Sequence, residues 1–295
     1  MTIMAGFSAS GHGTAPLHLA VQLARCTGDQ IVAAAIVERP WPRKPDPYEN
    51  EYLSYLGEQA QKSITEMADK LSGDVEITPL VHQSTSVPEG LTQLAAEMNA
   101  DVVVVGSSSS GLLGRIALGS VTDRLVHTAE VPVAIAPRGY PAQSGKVDRV
   151  TVAYGGQADA VGLVAAGAEL AAQWSAKLRI ASFTVRPLTM FSGSIEPGNE
   201  DLVVEQWAQR THEGIAAQLE QVRSGIDTVD AEVKIGAGAT WRDAVEAIEW
   251  NAGDILVLGS GAAGQVARVF LGSAAAKILR HAPVPTMIVP RRADS

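Results

Sequence analysis

The sequence predicts an α/β protein made of two similar domains, each a doubly wound, five-stranded parallel sheet. Three observations carry that prediction. One block recurs: residues 101–138 (DVVVVGSSSSGLLGRIALGSVTDRLVHTAEVPVAIAPR) and 254–291 (DILVLGSGAAGQVARVFLGSAAAKILRHAPVPTMIVPR) align without a gap at a constant offset of 153. The matched pairs include Asp101/Asp254, Gly106/Gly259, Ser107/Ser260, Gly111/Gly264, Arg115/Arg268, Gly119/Gly272 and Ser120/Ser273. A repeat of this fidelity reads as two copies of one unit. Apolar runs also alternate with Ala- and Leu-rich segments through both halves, which is the pattern of β–α–β units. Finally, VVVV (102–105) and ILVL (255–258) are continuously apolar, as strands covered by helices on both faces must be.

The elements follow in the same order in each half. TIMAGF (2–7) and RVTVAY (149–154) are first strands, each running through a turn into a helix, over 15–26 and 158–174. IVAAAIV (31–37) and LRIASFTV (178–185) are second strands. A Pro-rich loop with Trp41 follows the first of these, and a Gly/Ser/Pro-rich loop with Met190 and Phe191 follows the second. Loops of that length are often lids or interfaces. Long helices are predicted over 49–71 and 200–224, third strands at 75–81 and 229–235, and third helices near 88–99 and 241–251. Acidic residues near the long helices' starts (Glu49, Glu51, Glu58; Glu200, Asp201, Glu205) suit the positive end of the helix dipole. The fourth strands lead into a glycine loop, a short helix beginning at Ser120 or Ser273, and closing strands within 131–137 and 284–290. Gly, Pro, Ser and Gln cluster in the linker RGYPAQSGKVD (138–148), so the domains are expected to span 1–140 and 147–292.

Composition narrows the functional classes. The 295 residues are 46% hydrophobic and 19% charged, ordinary for a folded protein. Lys and Arg total 23 against 32 Asp and Glu, a net charge of −9 that repels nucleic acid and anionic membranes, and neither is an expected partner. Cys26 is the sole cysteine, which excludes an intrachain disulfide and a Cys-rich metal site and suits a reducing compartment. The first basic residue is Arg25, so a secretory leader's basic start is missing, and no apolar run has the length of a membrane span. The expected location is the cytoplasm.

Ligands of open α/β sheets bind at the carboxyl ends of the strands, where strand order reverses. There the loop from Gly106 to Ser120 begins with a glycine and ends with Gly-Ser at a helix start, and Gly259 to Ser273 repeats it. A helix N-terminus offers N–H groups and the positive end of its dipole to an anion. Gly119, Ser120, Gly272 and Ser273 are therefore candidate phosphate contacts, with the serines equally suited to N-capping. Arg115 and Arg268 are candidate phosphate or interface contacts. GSGAAG (259–264) fits the dinucleotide pattern G-x-G-x-x-G only by letter: no acidic residue follows about 20 positions on, and the first copy reads GSSSSG. His12, in the loop after the first strand, is a weaker anion candidate.

These residues resemble the universal stress protein family in its tandem form, with two such domains on one chain, a Rossmann-like fold related to the adenine-nucleotide alpha hydrolases. The signature of its nucleotide-binding members is G-x2-G-x9-G-[ST]. Here it reads Gly106-x2-Ser109-x9-Gly119-Ser120 and Gly259-x2-Ala262-x9-Gly272-Ser273, with the spacing kept in both copies. The resemblance implies an adenine nucleotide, ATP or AMP, as ligand, held also by the ends of the first and second strands. At the first-strand end, where binding members carry an aspartate, stand Ser8 and Gly155; the second-strand end falls near Ile36 and Thr184. The first half keeps more polar groups, Ser8, Ser107 to Ser110 and Ser120, against Ser260 and Ser273 in the second, and is the favoured site. The family's closing strands pair across a two-fold, which implies an intrachain pseudo-dimer, and a homodimer, through 131–137 and 284–290.

No motif of an evolved active site accompanies this. The six histidines stand in no metal-ligand spacing, and no G-x-S-x-G elbow or G-x-x-x-x-G-K-[ST] loop occurs. The reading is a non-catalytic stress-response regulator that binds adenine nucleotide weakly. The alternatives are the same scaffold with degenerate clefts acting through protein contacts and, less favoured, a slow ATPase.

Overall fold

The computed structural model describes residues 2–8, 13–39, 47–71, 73–156, 160–185, 199–223, 230–263 and 267–290. The first half runs β1 (Thr2–Phe7), α1 (Ala15–Thr27), β2 (Gln30–Glu38), α2 (Pro47–Leu71), β3 (Ile77–Ser84), α3 (Val87–Glu97), β4 (Val102–Gly106), α4 (Ser120–Thr128) and β5 (Val133–Ala136). The second half repeats the order with β6 (Arg149–Ala153), α5 (Ala160–Trp174), β7 (Lys177–Val185), α6 (Asn199–Arg223), β8 (Ala231–Gly238), α7 (Trp241–Glu246) and β9 (Asp254–Gly259). It then adds a hairpin, β10 (Gly261–Ala263) and β11 (Ala267–Phe270), before α8 (Ser273–His281) and β12 (Thr286–Val289).

Ten strands form one sheet in the order β3-β2-β1-β4-β5-β12-β9-β6-β7-β8. In this sheet every pairing within a half is parallel, and strand order reverses between the first and fourth strands of the unit. The halves join where β5 meets β12 antiparallel, with Ile135 opposite Thr286 and Val133 opposite Ile288. The expected pairing of closing strands is thus satisfied inside one chain. Each closing strand already has a neighbour on both sides, so it has no free edge for a second copy, and a homodimer would need another surface.

Continuously apolar strands bury both faces. Ile3, Ala5, Ala33 and Val104 face one layer with Leu17 and Leu23 of α1, Ile64 of α2, Val164 of α5 and Ile215 of α6. Met4, Ala34, Val103 and Val105 face the other, with Leu91 of α3, Leu125 of α4, Val245 of α7 and Leu279 of α8. α1 begins at Thr14 with Pro16 in its first turn and stops at Gly28, whose φ of 76° suits glycine.

The linker lies along α1. Tyr140 donates its hydroxyl to Gln22 Oε1 at 2.6 Å, and the Tyr140 carbonyl meets His18 Nδ1 at 2.8 Å. Gln22 Nε2 donates to the Lys146 carbonyl, Arg25 to that of Gln143, and the Val147 N–H to Cys26 Sγ. Positions 18, 22, 25 and 26 fall on successive turns of one helix face, so α1 grips the linker along its length.

Two predicted elements differ. The third helix of the second half ends at Glu246 instead of near 251, because Trp250 Nε1 donates back to the Val245 carbonyl and the buried Arg179 takes the Glu249 carbonyl. The hairpin β10–β11 stands where the first half has an irregular loop and was not foreseen. Among the described residues no helix is long and apolar enough to cross a membrane.

Candidate functional site

The carboxyl ends of β1 and β4 lie side by side, since Ile3 to Ala5 pair with Val102 to Val104. Chain order reverses there. Gly106 leaves β4 against the start of α1, where a Cβ would stand 3.4 Å from Pro16 Cγ. Ser107 then turns the chain: its N–H donates to the Ala136 carbonyl at 3.0 Å, and its hydroxyl accepts from the Ala117 N–H at 2.8 Å. The Ser108 N–H donates to the Ala117 carbonyl, closing the loop into a ring. Ser108 Oγ meets Ser110 Oγ at 2.9 Å, and Ser109 is exposed at the tip. The sequence offers Ser107 to Ser110 together as polar groups of the favoured site. The structure assigns Ser107 to holding the loop and leaves Ser109 and Ser110 on its rim.

α4 starts directly beyond. Its N-cap is Gly119, in extended conformation and with no side-chain cap hydrogen bond, so Ser120 is the first helical residue and not the cap its type suggested. A Cβ on Gly119 would stand 3.4 Å from Ser108 Cβ, which sets the loop against the helix end. α8 is built the same way, with Gly272 as N-cap, no side-chain cap bond and Ser273 exposed. The short third helices differ: Ser86 Oγ accepts the Glu89 N–H at the start of α3, and Thr240 with Asp243 forms a capping box at α7.

Around this end, Ser8 is exposed just past β1, and Gly13 folds back on it so closely that a Cβ at 13 would overlap the Ser8 carbonyl. Only glycine fits there. Gly155 occupies the matching place in the second half, exposed and with nothing within 4 Å of a Cβ there among the described residues. Ile36 is half-buried near the end of β2 against Gly90 of α3, and Thr184 is half-buried near the end of β7. Neither Ser8 nor Gly155 supplies a carboxylate.

The second-half loop begins alike, since the Ser260 N–H donates to the Val289 carbonyl at 3.1 Å, the equivalent of Ser107 on Ala136. A Cβ on Gly259 would stand 3.2 Å from Leu163 of α5. Beyond Ser260 the copies diverge into the hairpin, whose β11 packs on α4 of the other half. Ala262 lies in β10 and Arg268 in β11, and their side chains fall outside the described residues, as do His12, Trp41, Met190 and Phe191.

Arg115 crosses between the halves. One Nη donates to the His281 carbonyl at 2.8 Å and the other to Glu246 Oε1 at 2.5 Å. Of the two roles its type allowed, the observed one is the interface. Partial burial, with Arg242, Arg115 and Arg280 nearby, pushes the His281 imidazole below its ordinary range. Sequence reasoning missed Glu246 and the His281 carbonyl, because both lie on the other half's helices and carry no local motif. It also missed the buried centre beneath β6–β9, where Arg149 and Arg179 share Asp254 and Arg179 stacks 4.8 Å from the Trp250 ring.

Two open crevices of about 430 and 450 Å³ lie at the opposite, amino-terminal end of the strands. One is bounded by Arg25, Asp74 and Lys146, the other by Arg149, Lys177 and Glu232. Arg25 is already paired with Asp74 and Arg149 with Asp254, so neither crevice presents a concentrated charge to a ligand. Among the described residues no group of His, Cys, Asp or Glu is gathered to hold a metal ion.

The profile of the universal stress protein family matches residues 1–137 and again 146–290. Universal stress proteins of Mycobacterium tuberculosis and Mycobacterium bovis are each 35% identical over 299 residues, covering 98% of this chain and all of theirs. The crystal structure of a universal stress protein from Archaeoglobus fulgidus covers 98% of both chains at a TM-score of 0.61 and 20% identity. A second solved chain, from Pseudomonas aeruginosa, covers 98% of this chain and 92% of its own at a TM-score of 0.53 and 12% identity. At those identities the two structures speak for the fold.

Proposed function

The chain belongs to the universal stress protein family, and on that premise we propose that it is a non-catalytic stress-response regulator which weakly binds an adenine nucleotide, ATP or AMP, by its phosphates in the first half. The observation that carries this reading is the start of α4. Gly119 leaves the first turn without a side-chain cap, whereas Ser86 and Thr240 close the starts of α3 and α7. N–H groups left in this way, at the positive end of a helix, attract phosphate oxygens.

In this reading Gly119 admits the phosphate close to the backbone, and Ser120 adds a hydroxyl donor. Gly106 and Ser107 hold the loop, while Ser109 and Ser110 line the rim. Ser8, with no carboxylate, leaves the nucleoside end without its anchor. Losing one charge-assisted hydrogen bond removes about 1.5–3 kcal/mol, which accounts for weak binding. The donors around the phosphate are N–H and O–H groups, suited to holding an anion and not to drawing a proton from water. Arg115 leaves the same loop for the other half, so movement of the loop on binding would reach the α7 and α8 ends. In the second half the hairpin replaces the serine loop, which makes Gly272 and Ser273 the poorer site. Domains of 1–140 and 147–292 go with this reading, with Tyr140 and Val147 as the ends of the segment gripped by α1.

Mass spectrometry of small molecules released by denaturing the purified chain tests the proposal. Adenine nucleotide in the released fraction, or heat on titration with ATP or AMP, is expected. Neither signal, with nucleotide at millimolar concentration, leaves the contact-only scaffold as the correct reading.

A further inference from the structure

We propose that the outer face of the amino-terminal half of α2 is a docking surface for a basic, arginine- or lysine-rich segment of a partner protein. Tyr48, Tyr52 and Tyr55 are 80%, 61% and 55% exposed. Their spacing puts them on one helix face over successive turns. They are three of the chain's five tyrosines. α2 turns other residues toward the core: Ile64 and Ala68 are buried further along, and Leu53 and Leu56 are half-buried beside the tyrosines.

Charge states what the face would accept. Glu49, Glu51 and Glu58 accompany the tyrosines, and no Lys or Arg occurs between positions 47 and 61. The helix dipole explains Glu49 in the first turn. The sequence expectation that Glu58 also serves the dipole is not met, since α2 starts at Pro47 and Glu58 lies well past its first turn, and the dipole does not explain the aromatic rings. Tyrosine faces attract guanidinium and ammonium groups, and flanking carboxylates pair with the same cations. Large aromatics left in solvent are the residue type that anchors protein contacts. A second copy is the poorer occupant, because it brings the same acidic stripe on a chain of net charge −9. The inference is independent of nucleotide binding.

The test is calorimetric titration of the full chain with a synthetic arginine–glycine repeat peptide, against a glutamate–glycine repeat as control. The arginine peptide is expected to bind and the glutamate peptide not. The triple variant Tyr48→Ser, Tyr52→Ser, Tyr55→Ser should weaken binding by about tenfold or more while its circular dichroism and melting temperature stay unchanged. Glu51→Gln with Glu58→Gln should weaken it and flatten its salt dependence. Absence of binding, or equal binding by the triple variant, overturns the proposal. So does light scattering that shows a dimer of the natural chain dissolved by the tyrosine substitutions, since the occupant is then a second copy.

Discussion

Arg115 in the first half's glycine loop and Glu246 at the end of α7 form an ion pair of 2.5 Å across the two halves. The Glu246 side chain is 45% exposed, so solvent screens the pair and its contribution stays below about 1 kcal/mol. The bond from Arg115 to the His281 carbonyl is partly buried and adds about as much again. Arg115→Ala should therefore lower stability by about 1–2 kcal/mol in urea unfolding. Glu246→Ala should lower it by less, with a double-mutant cycle placing the remainder on the His281 carbonyl.

A larger effect is expected at Arg179. Its side chain and that of Asp254 are each 1% exposed, and Arg179 also donates to Thr151 Oγ1 and the Glu249 carbonyl. Burial and the neighbouring Arg149 push its guanidinium below the ordinary value, yet the partners keep it in place. Arg179→Met removes the cation and leaves those acceptors buried, and should destabilise the chain by about 3–5 kcal/mol by chemical denaturation.

Tyr140 gives the fold an alkaline limit. Burial pushes its phenol up to about 12 from an ordinary 10. Above pH 10 the unfolded chain has lost this proton while the folded chain keeps it. Stability is therefore fully present below about pH 10 and falls as pH climbs toward 12. Tyr140→Phe should remove this fall from the profile of unfolding free energy against pH. At neutral pH it should cost about 1–2 kcal/mol, because Gln22, 2% exposed, loses its partner.

Much of this architecture was legible because the repeat and the apolar periodicity are local or near-local signals. β1, β4 and β9 fall where their hydrophobic runs stand, and α4 and α8 begin at Ser120 and Ser273. What escaped depends on contacts between distant segments. The end of α7 is set by Arg179 and Trp250, from another strand and the following loop. The hairpin β10–β11 arises in a stretch whose first-half equivalent, at the same spacing, forms no strands. At the candidate site the pattern located the loop, but not that Ser107 would lock it or that Gly119 would take the cap from Ser120. The Ser107 hydroxyl's contact with Ala117 decides the first and the extended backbone at Gly119 the second, and residue type alone encodes neither.

Ser8→Asp offers a gain of function. Ser8 is exposed at the end of β1, so a carboxylate there adds an anchor without burying charge. In the proposed reading this substitution should tighten nucleotide binding by about tenfold or more, with unfolding free energy nearly unchanged. Equilibrium dialysis with labelled ATP measures it directly. Unchanged affinity would mean that the base and ribose do not lie beside β1.

The most direct measurement is calorimetric titration of ATP into the natural chain, Gly119→Val and Gly272→Val. Both glycines have backbone angles that valine accepts, with φ of −90° at 119 and −56° at 272. A side chain at 119 enters the gap to Ser108, while one at 272 has no neighbour within 4 Å among the described residues. Heat is expected from the natural chain and from Gly272→Val, and none from Gly119→Val. Undiminished binding by Gly119→Val, or its loss in Gly272→Val alone, would contradict a phosphate held at the start of α4.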